Sequence, residues 1–173
     1  MTSDEELDFW SFVRLARTRL TQQGFSDPHA TELLLTLNRA SGIITYDLEA
    51  SVHRPAGRSW ATFRILYVLW LAGDLEPRRV AELTGLTRAA VSNHLGPLLR
   101  EGLLHREPAA HDGRSVILSL STRGEREIQS LFAAQHEREV AWTAALTQDE
   151  QATLVRLLDK LVSRTDLDVR HRH

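Results

Sequence analysis

The sequence predicts a mainly α-helical chain with one small two-stranded β-ribbon, and three observations carry that prediction. Apolar residues recur at helical spacing through both ends of the chain. Residue-by-residue alternation is clear over Val116, Leu118 and Leu120, just after the strand-like Leu103-Leu104-His105-Arg106-Glu107 and a turn-rich tip. The 173 residues, 42% apolar and 25% charged, fit one globular domain or a small domain with an oligomerisation part attached.

The first helix is expected from about Glu5 to Leu20, where Leu7, Trp10, Val13, Leu15, Ala16 and Leu20 keep a helical period, and Gly24 ends it. Asp27-Pro28 then supplies an N-cap and a first-turn proline. A long helix follows, with Leu33, Leu34, Leu37, Ile43, Ile44, Leu48 and Val52 along one side, broken at His53-Arg54-Pro55-Ala56-Gly57. A third helix, about Trp60 to Ala72, is apolar nearly all round and is therefore expected to be central.

Pro77 to Val91 has the order of a helix-turn-helix. Val80 and Leu83 are expected to face inward on the first short helix, with Ala81 small where the second helix approaches. Gly85 stands at the turn, where a positive φ is cheap for glycine, Leu86 fills the space beneath, and Thr87 caps the second helix. Val91, Leu95, Leu98 and Leu99 give that helix a buried stripe. Its other side presents Thr87, Arg88, Ala89, Ser92, Asn93 and His94, short or polar side chains that reach base edges and phosphates in a major groove. A helical hairpin without DNA function could share the apolar spacing, but has less reason to place Arg, Ser and Asn near a helix N-terminus. The ribbon that follows directly is a wing. From Pro77 to Arg123 seven Arg (78, 79, 88, 100, 106, 114, 123) stand against four acids (Glu82, Glu101, Glu107, Asp112), joined by His94, His105 and His111. Two further helices are expected after it. The first runs from about Thr122 to Ala144 with Ile128, Leu131, Phe132 and Gln135 on one face. The second opens at the capping box Thr147-Gln148-Asp149-Glu150 and continues through Leu154, Leu157, Leu158, Leu161 and Val162. Asp166 to His173 is polar and expected to fray.

Composition narrows the function. A net charge of −2 argues against a chain coated in positive charge, but DNA affinity depends on where cations sit, and the island above is local. Lys160 is the sole lysine; Arg suits bidentate contact with phosphate or guanine, although genomic composition bias is the weightier explanation of the preference. The absence of cysteine excludes disulfides, thiolate metal sites and sulfur-based redox sensing. The acidic start and the lack of a long apolar run predict a soluble, cytoplasmic protein without membrane contact. The eight His are scattered without an i, i+4 ligand pair, and Asp47 and Glu49 do not share a helix face. With no Gly-rich phosphate loop or nucleophile elbow, no enzyme, metal or cofactor is expected.

The run Arg100-Glu101-Gly102-Leu103-Leu104, the tip Asp112-Gly113-Arg114 and the end Leu118-Ser119-Leu120-Ser121-Thr122-Arg123-Gly124 resemble the wing signature of MarR-family regulators, and the likeness extends from about Leu33 to the C-terminus. The resemblance implies a winged helix-turn-helix DNA-binding lobe over residues 58–122. Residues 1–57, with a candidate ligand pocket, and residues 123–173 then form the helical dimerisation region. It further implies a homodimer on a double-stranded, pseudo-palindromic operator, with Arg114 in the minor groove and Asp112 bracing its guanidinium; a plain turn residue is the other reading of Asp112. Two departures stand out. Gly96-Pro97 falls inside the second helix, where a kink is expected toward its C-terminal half, and His94 occupies a usually aliphatic spot. The family's usual behaviour implies a repressor released by a small molecule. Here the expected effector is an anionic aromatic held by Arg14 or Arg64 and stacked on Trp10, Trp60 or Tyr46, which are otherwise ordinary surface and core. Two other readings remain at this stage: an architectural DNA binder without ligand control, and a winged helix used as a protein-interaction module.

Overall fold

The computed structural model describes residues 8–109 and 112–164, with backbone alone at 109 and 112–114. They fall into two compact units, Met1–Asp47 and Leu48–His173. No helix among the described residues is long and apolar enough to cross a membrane.

The first unit holds α1 (Phe9–Gln22) and most of α2 (Pro28–Leu48). Asp8 starts α1, its carboxylate accepting the Ser11 N–H at 2.6 Å; the expected start at Glu5 lies outside the described residues. Arg17 pairs with Glu32 at 3.4 Å and Arg39 lies over the Phe9 ring at 5.5 Å, so the two helices run antiparallel. Pro28 is the first helical residue of α2, as expected. Asp27, however, adopts φ 50° and offers its carbonyl to Ala30, a left-handed turn in place of the extended N-cap read from the sequence. Val13 is buried, whereas Trp10, Phe25, Leu33 and Tyr46 are more than half exposed.

The second unit begins where α2 passes into a π-helical turn, Glu49–His53, a feature the apolar period does not signal. α3 (Trp60–Ala72) starts at a capping box of Ser59 and Thr62 and buries Phe63, Ile65, Leu66 and Leu69. It is the central helix, packed against α4 (Pro77–Thr84), α5 (Arg88–Arg100) and α6 (Thr122–Thr143). Phe63, Tyr67 and Phe132 stack in turn at 5.4 and 5.2 Å, tying α3 to α6. β1 (Leu104–Ala109) and β2 (Asp112–Leu120) form the antiparallel ribbon, with Leu104 opposite Leu120 and Glu107 opposite Ile117. Its inner edge is extended by Leu75, which exchanges both backbone hydrogen bonds with Leu118 at 3.0 and 2.8 Å. α7 (Gln148–Val162) has the predicted capping box of Thr147 and Glu150 and buries no residue. The tail from Asp166 lies outside the described residues.

Candidate nucleic-acid interface

Local chemistry places the helix-turn-helix. Pro77 opens α4, and Gly85 ends it in the left-handed region at φ 65°. Thr87 Oγ1 accepts the Ala90 N–H at 3.1 Å and caps α5. Val80 and Ala81 are fully buried, but Leu83 is 46% exposed, against expectation. On so short a helix the inward arc is set by 80, 81 and 84, and residue 83 falls about a third of a turn from the centre of that arc. Thr84 fills the inward place, satisfying its buried hydroxyl on the carbonyls of Val80 (2.7 Å) and Ala81 (3.3 Å).

α5 runs unbroken through Pro97 to Arg100. The missing Pro97 N–H orphans the carbonyl of Asn93, an exposed residue, so water can replace the lost bond, and the ladder resumes with Glu101 N–H to Pro97 O at 2.9 Å. Val91, Leu95 and Leu98 anchor the helix in the core. Thr87, Arg88, Ala89, Ser92 and Asn93 are exposed together on the opposite side, and His94 is half-buried at its edge. Beside this face lies a groove of about 310 Å³ lined by Arg78 of α4, Arg88 and Ser92 of α5, and Arg106 of β1, over a floor that includes Leu95 and Leu99. Three arginines from three elements thus line one groove next to the face that carries the polar side chains. Sequence reasoning counted Arg78 and Arg106 in the basic island but did not single them out, because their convergence depends on the ribbon folding back toward α4. The side chains of Asp112 and Arg114 lie outside the described residues.

The five residues named for an effector divide between the units. Trp10 and Arg14 lie one turn apart on α1, where Arg14 donates to Ser11 Oγ at 3.1 Å, and Tyr46 is exposed on α2. Trp60 and Arg64 are brought together on α3, the guanidinium carbon 5.8 Å from the indole centroid. Arg64 Nε has no hydrogen-bond partner among the described residues, and burial holds its pKa below the ordinary arginine value. His53 also packs near Trp60; it is fully buried, its ring centroid 5.5 Å from Trp60 and 4.5 Å from Phe63. Neither of its ring nitrogens, nor Gln135 Oε1 nearby on α6, meets a hydrogen-bond partner among the described residues. Burial lowers the His53 pKa, with the Glu49 charge and Gln135 opposing. His53 and Gln135 were not recognised as site residues in the sequence, where one read as part of a helix break and the other as one of four residues on one face of a helix. No group of three or more metal-ligating side chains occurs among the described residues.

Known proteins show the same architecture. Residues 56–115 match the MarR family model. YwaE of Bacillus subtilis (strain 168), an uncharacterized HTH-type transcriptional regulator, is 33% identical over 132 residues, covering 76% of this chain and 77% of its own. The PcaV transcriptional regulator from Streptomyces coelicolor, solved with its natural ligand, is 25% identical with TM-score 0.65, over 80% of this chain and 94% of its own. A mutant MarR from E. coli complexed with operator DNA shares the fold at 23% identity and TM-score 0.65, over 75% of this chain and 95% of its own. The capped α5, the left-handed Gly85, the antiparallel wing and the YwaE match agree: the chain belongs to the MarR family and is a winged helix-turn-helix DNA-binding transcription regulator, not an enzyme.

Proposed function

We propose that this chain is a cytoplasmic repressor that binds a pseudo-palindromic operator as a homodimer and leaves it when an anionic aromatic ligand binds. The observation that carries the DNA reading is the arginine-lined groove flanking the exposed face of α5. In this reading Arg88, Ser92 and Asn93, with Thr87, Ala89 and His94 around them, enter the major groove. Arg78 and Arg106 take the phosphates on either side, and Arg114, braced by Asp112, reaches the minor groove. The exposed apolar surface of α1, α2 and α7 supports a second copy as the partner.

The effector reading rests on Arg64. A buried guanidinium donor without a partner, held over an indole face, suits a carboxylate attached to an aromatic ring. PcaV, crystallised with its natural ligand, supports the same use of the fold. Trp10 and Arg14 of α1 and Tyr46 of α2 are the other candidate ligand contacts in this reading.

Fluorescence-anisotropy titration against DNA upstream of the chain's own gene, with scrambled DNA as control and two salt concentrations, tests the reading. Discriminating, salt-sensitive binding is expected, and Arg106→Ala should reduce the slope of log affinity against log salt by about one unit. Equal binding to both duplexes would favour an architectural role, and binding to neither, for a folded dimer, would remove DNA upstream of its gene as the target. Benzoate-class ligands should release the DNA from the wild type and fail to do so from Arg64→Ala.

A further inference from the structure

The C-terminal end of α5 is held more firmly than a helix end requires. Glu101, its C-cap, donates its N–H back to the Pro97 carbonyl at 2.9 Å, Gly102 N–H donates to Leu99 O at 3.0 Å, and the Glu101 carbonyl accepts Arg123 Nη1 at 2.8 Å. Ser121 Oγ donates to Gly102 O at 2.6 Å, and the Ser121 N–H to Leu103 O at 2.9 Å. A Cβ on Gly124 would stand 2.1 Å from Leu103 O, so the first turn of α6 rests directly on the chain leaving α5. These contacts join α5 to α6 through neighbouring backbone. A different part of the sequence supplies the remaining link.

That link is Arg58. Its backbone is fixed on both sides: its N–H donates to His53 O at 2.8 Å, and Ser59, the next residue, caps α3. Its guanidinium is 12% exposed and reaches two carboxylates at once, Glu101 through Nη2 at 2.6 Å and Glu127 of α6 through Nε. Burial works against the Arg58 charge, but the hydrogen bonds to Glu127 and Glu101 outweigh it, and Arg58 in turn holds the Glu101 carboxyl below its usual pKa. One planar fork therefore fixes the end of α5, the second turn of α6 and the entry to α3 relative to one another.

We infer that Arg58 is a positioning residue for DNA recognition: by joining Glu101 to Glu127 it sets the angle at which α5 meets the major groove, without touching DNA itself. The inference rests on the DNA-binding reading above. A helix pivoting at its C-terminal end displaces its N-terminal half most, and the first two turns carry Arg88, Ser92 and Asn93. Base contacts need their geometry held closely, whereas phosphate contacts from flexible arginines tolerate a shift. Losing the fork therefore costs discrimination between sequences more than it costs affinity for DNA as such. A residue that only stabilised the fold would lower the active fraction equally for every duplex and leave the ratio of affinities unchanged.

The test uses the full chain and the duplex that the wild type selects most strongly from a randomised pool, beside a scrambled duplex. Arg58→Met should lower the ratio of the two affinities by about tenfold, while binding to the scramble stays near wild type. Arg58→Lys keeps the charge but loses the two-pronged reach, and should fall between. Glu127→Gln cuts the α6 side alone and should lower the ratio by a smaller factor, which keeps the test open if Arg58→Met melts below the assay temperature. Variants that are folded by thermal denaturation yet keep the wild-type ratio would overturn the role of Arg58 alone. A wild type that selects no duplex from the pool would overturn the DNA reading and this inference together.

Discussion

The two units of the chain solve the burial problem in opposite ways. In the described part of the first, Val13 is the one buried residue, while nine large apolar side chains from Trp10 to Tyr46 are exposed. The second closes a cluster of fourteen buried residues around α3, from Phe63 to Leu131. Both segments are amphipathic by sequence. One has enough elements to wrap its apolar stripe, and the other is a helical hairpin, which alone has no third layer to cover it. The contrast teaches that the helical period locates an apolar face without saying which chain covers it.

The contrast is broken most directly in the core. Leu98→Ala should destabilise the second unit by about 2–5 kcal/mol in denaturant titrations, since it empties a fully buried site between α5 and α3. Loss below about 1 kcal/mol would mean that this core is looser than its burial implies.

The hairpin should answer differently. Leu33→Glu with Leu34→Glu should shift sedimentation toward monomer. Unfolding of the second unit, followed at concentrations where the wild type is also monomeric, should change by less than about 1 kcal/mol. An unchanged sedimentation coefficient would show that this face is not the seam between copies.

The smallest effect concerns acid. The folded-state pKa of His53 is depressed, so the native state favours the neutral ring and the unfolded chain takes up the proton first. Stability from this group is complete above about pH 6.5 and is lost as pH falls from there through the lowered pKa, at most about 1.4 kcal/mol for each unit separating the two values. His53→Phe, which keeps a ring but cannot titrate, should flatten the wild-type decline in melting temperature over that window. Parallel curves would show that another group carries the acid sensitivity.

Much of this was legible in the sequence because it is local. Thr87, Ser59 and Thr147 cap the helices that follow them within three residues, and Gly85 marks its own turn. The wing followed from alternation around a Gly-containing tip. What escaped depends on distance or on rotation about a helix. Arg58 and Glu127 are separated by 69 positions, and nothing near either residue marks the other. Leu83 looked like core because leucine usually is, and its exposure follows from the angular position of one residue on an eight-residue helix. His53 gains its interest from two buried ring nitrogens, and Gln135 from a buried Oε1, that meet no hydrogen-bond partner among the described residues, a property that composition does not carry.

The clasp at the base of the wing has a consequence for how the loop can vary. Ser121 holds Gly102 and Leu103 through its hydroxyl and its N–H, so the two ends of the ribbon are fastened where they leave the helices. Everything between is a loop closed at its root. Lengthening such a loop costs only about 0.6 kcal/mol for each doubling, because the closure is already paid at the base. Residues inserted between Ala109 and Asp112 would then leave the root of the ribbon in place, and the tip is where related chains can change reach and sequence preference without rebuilding the domain.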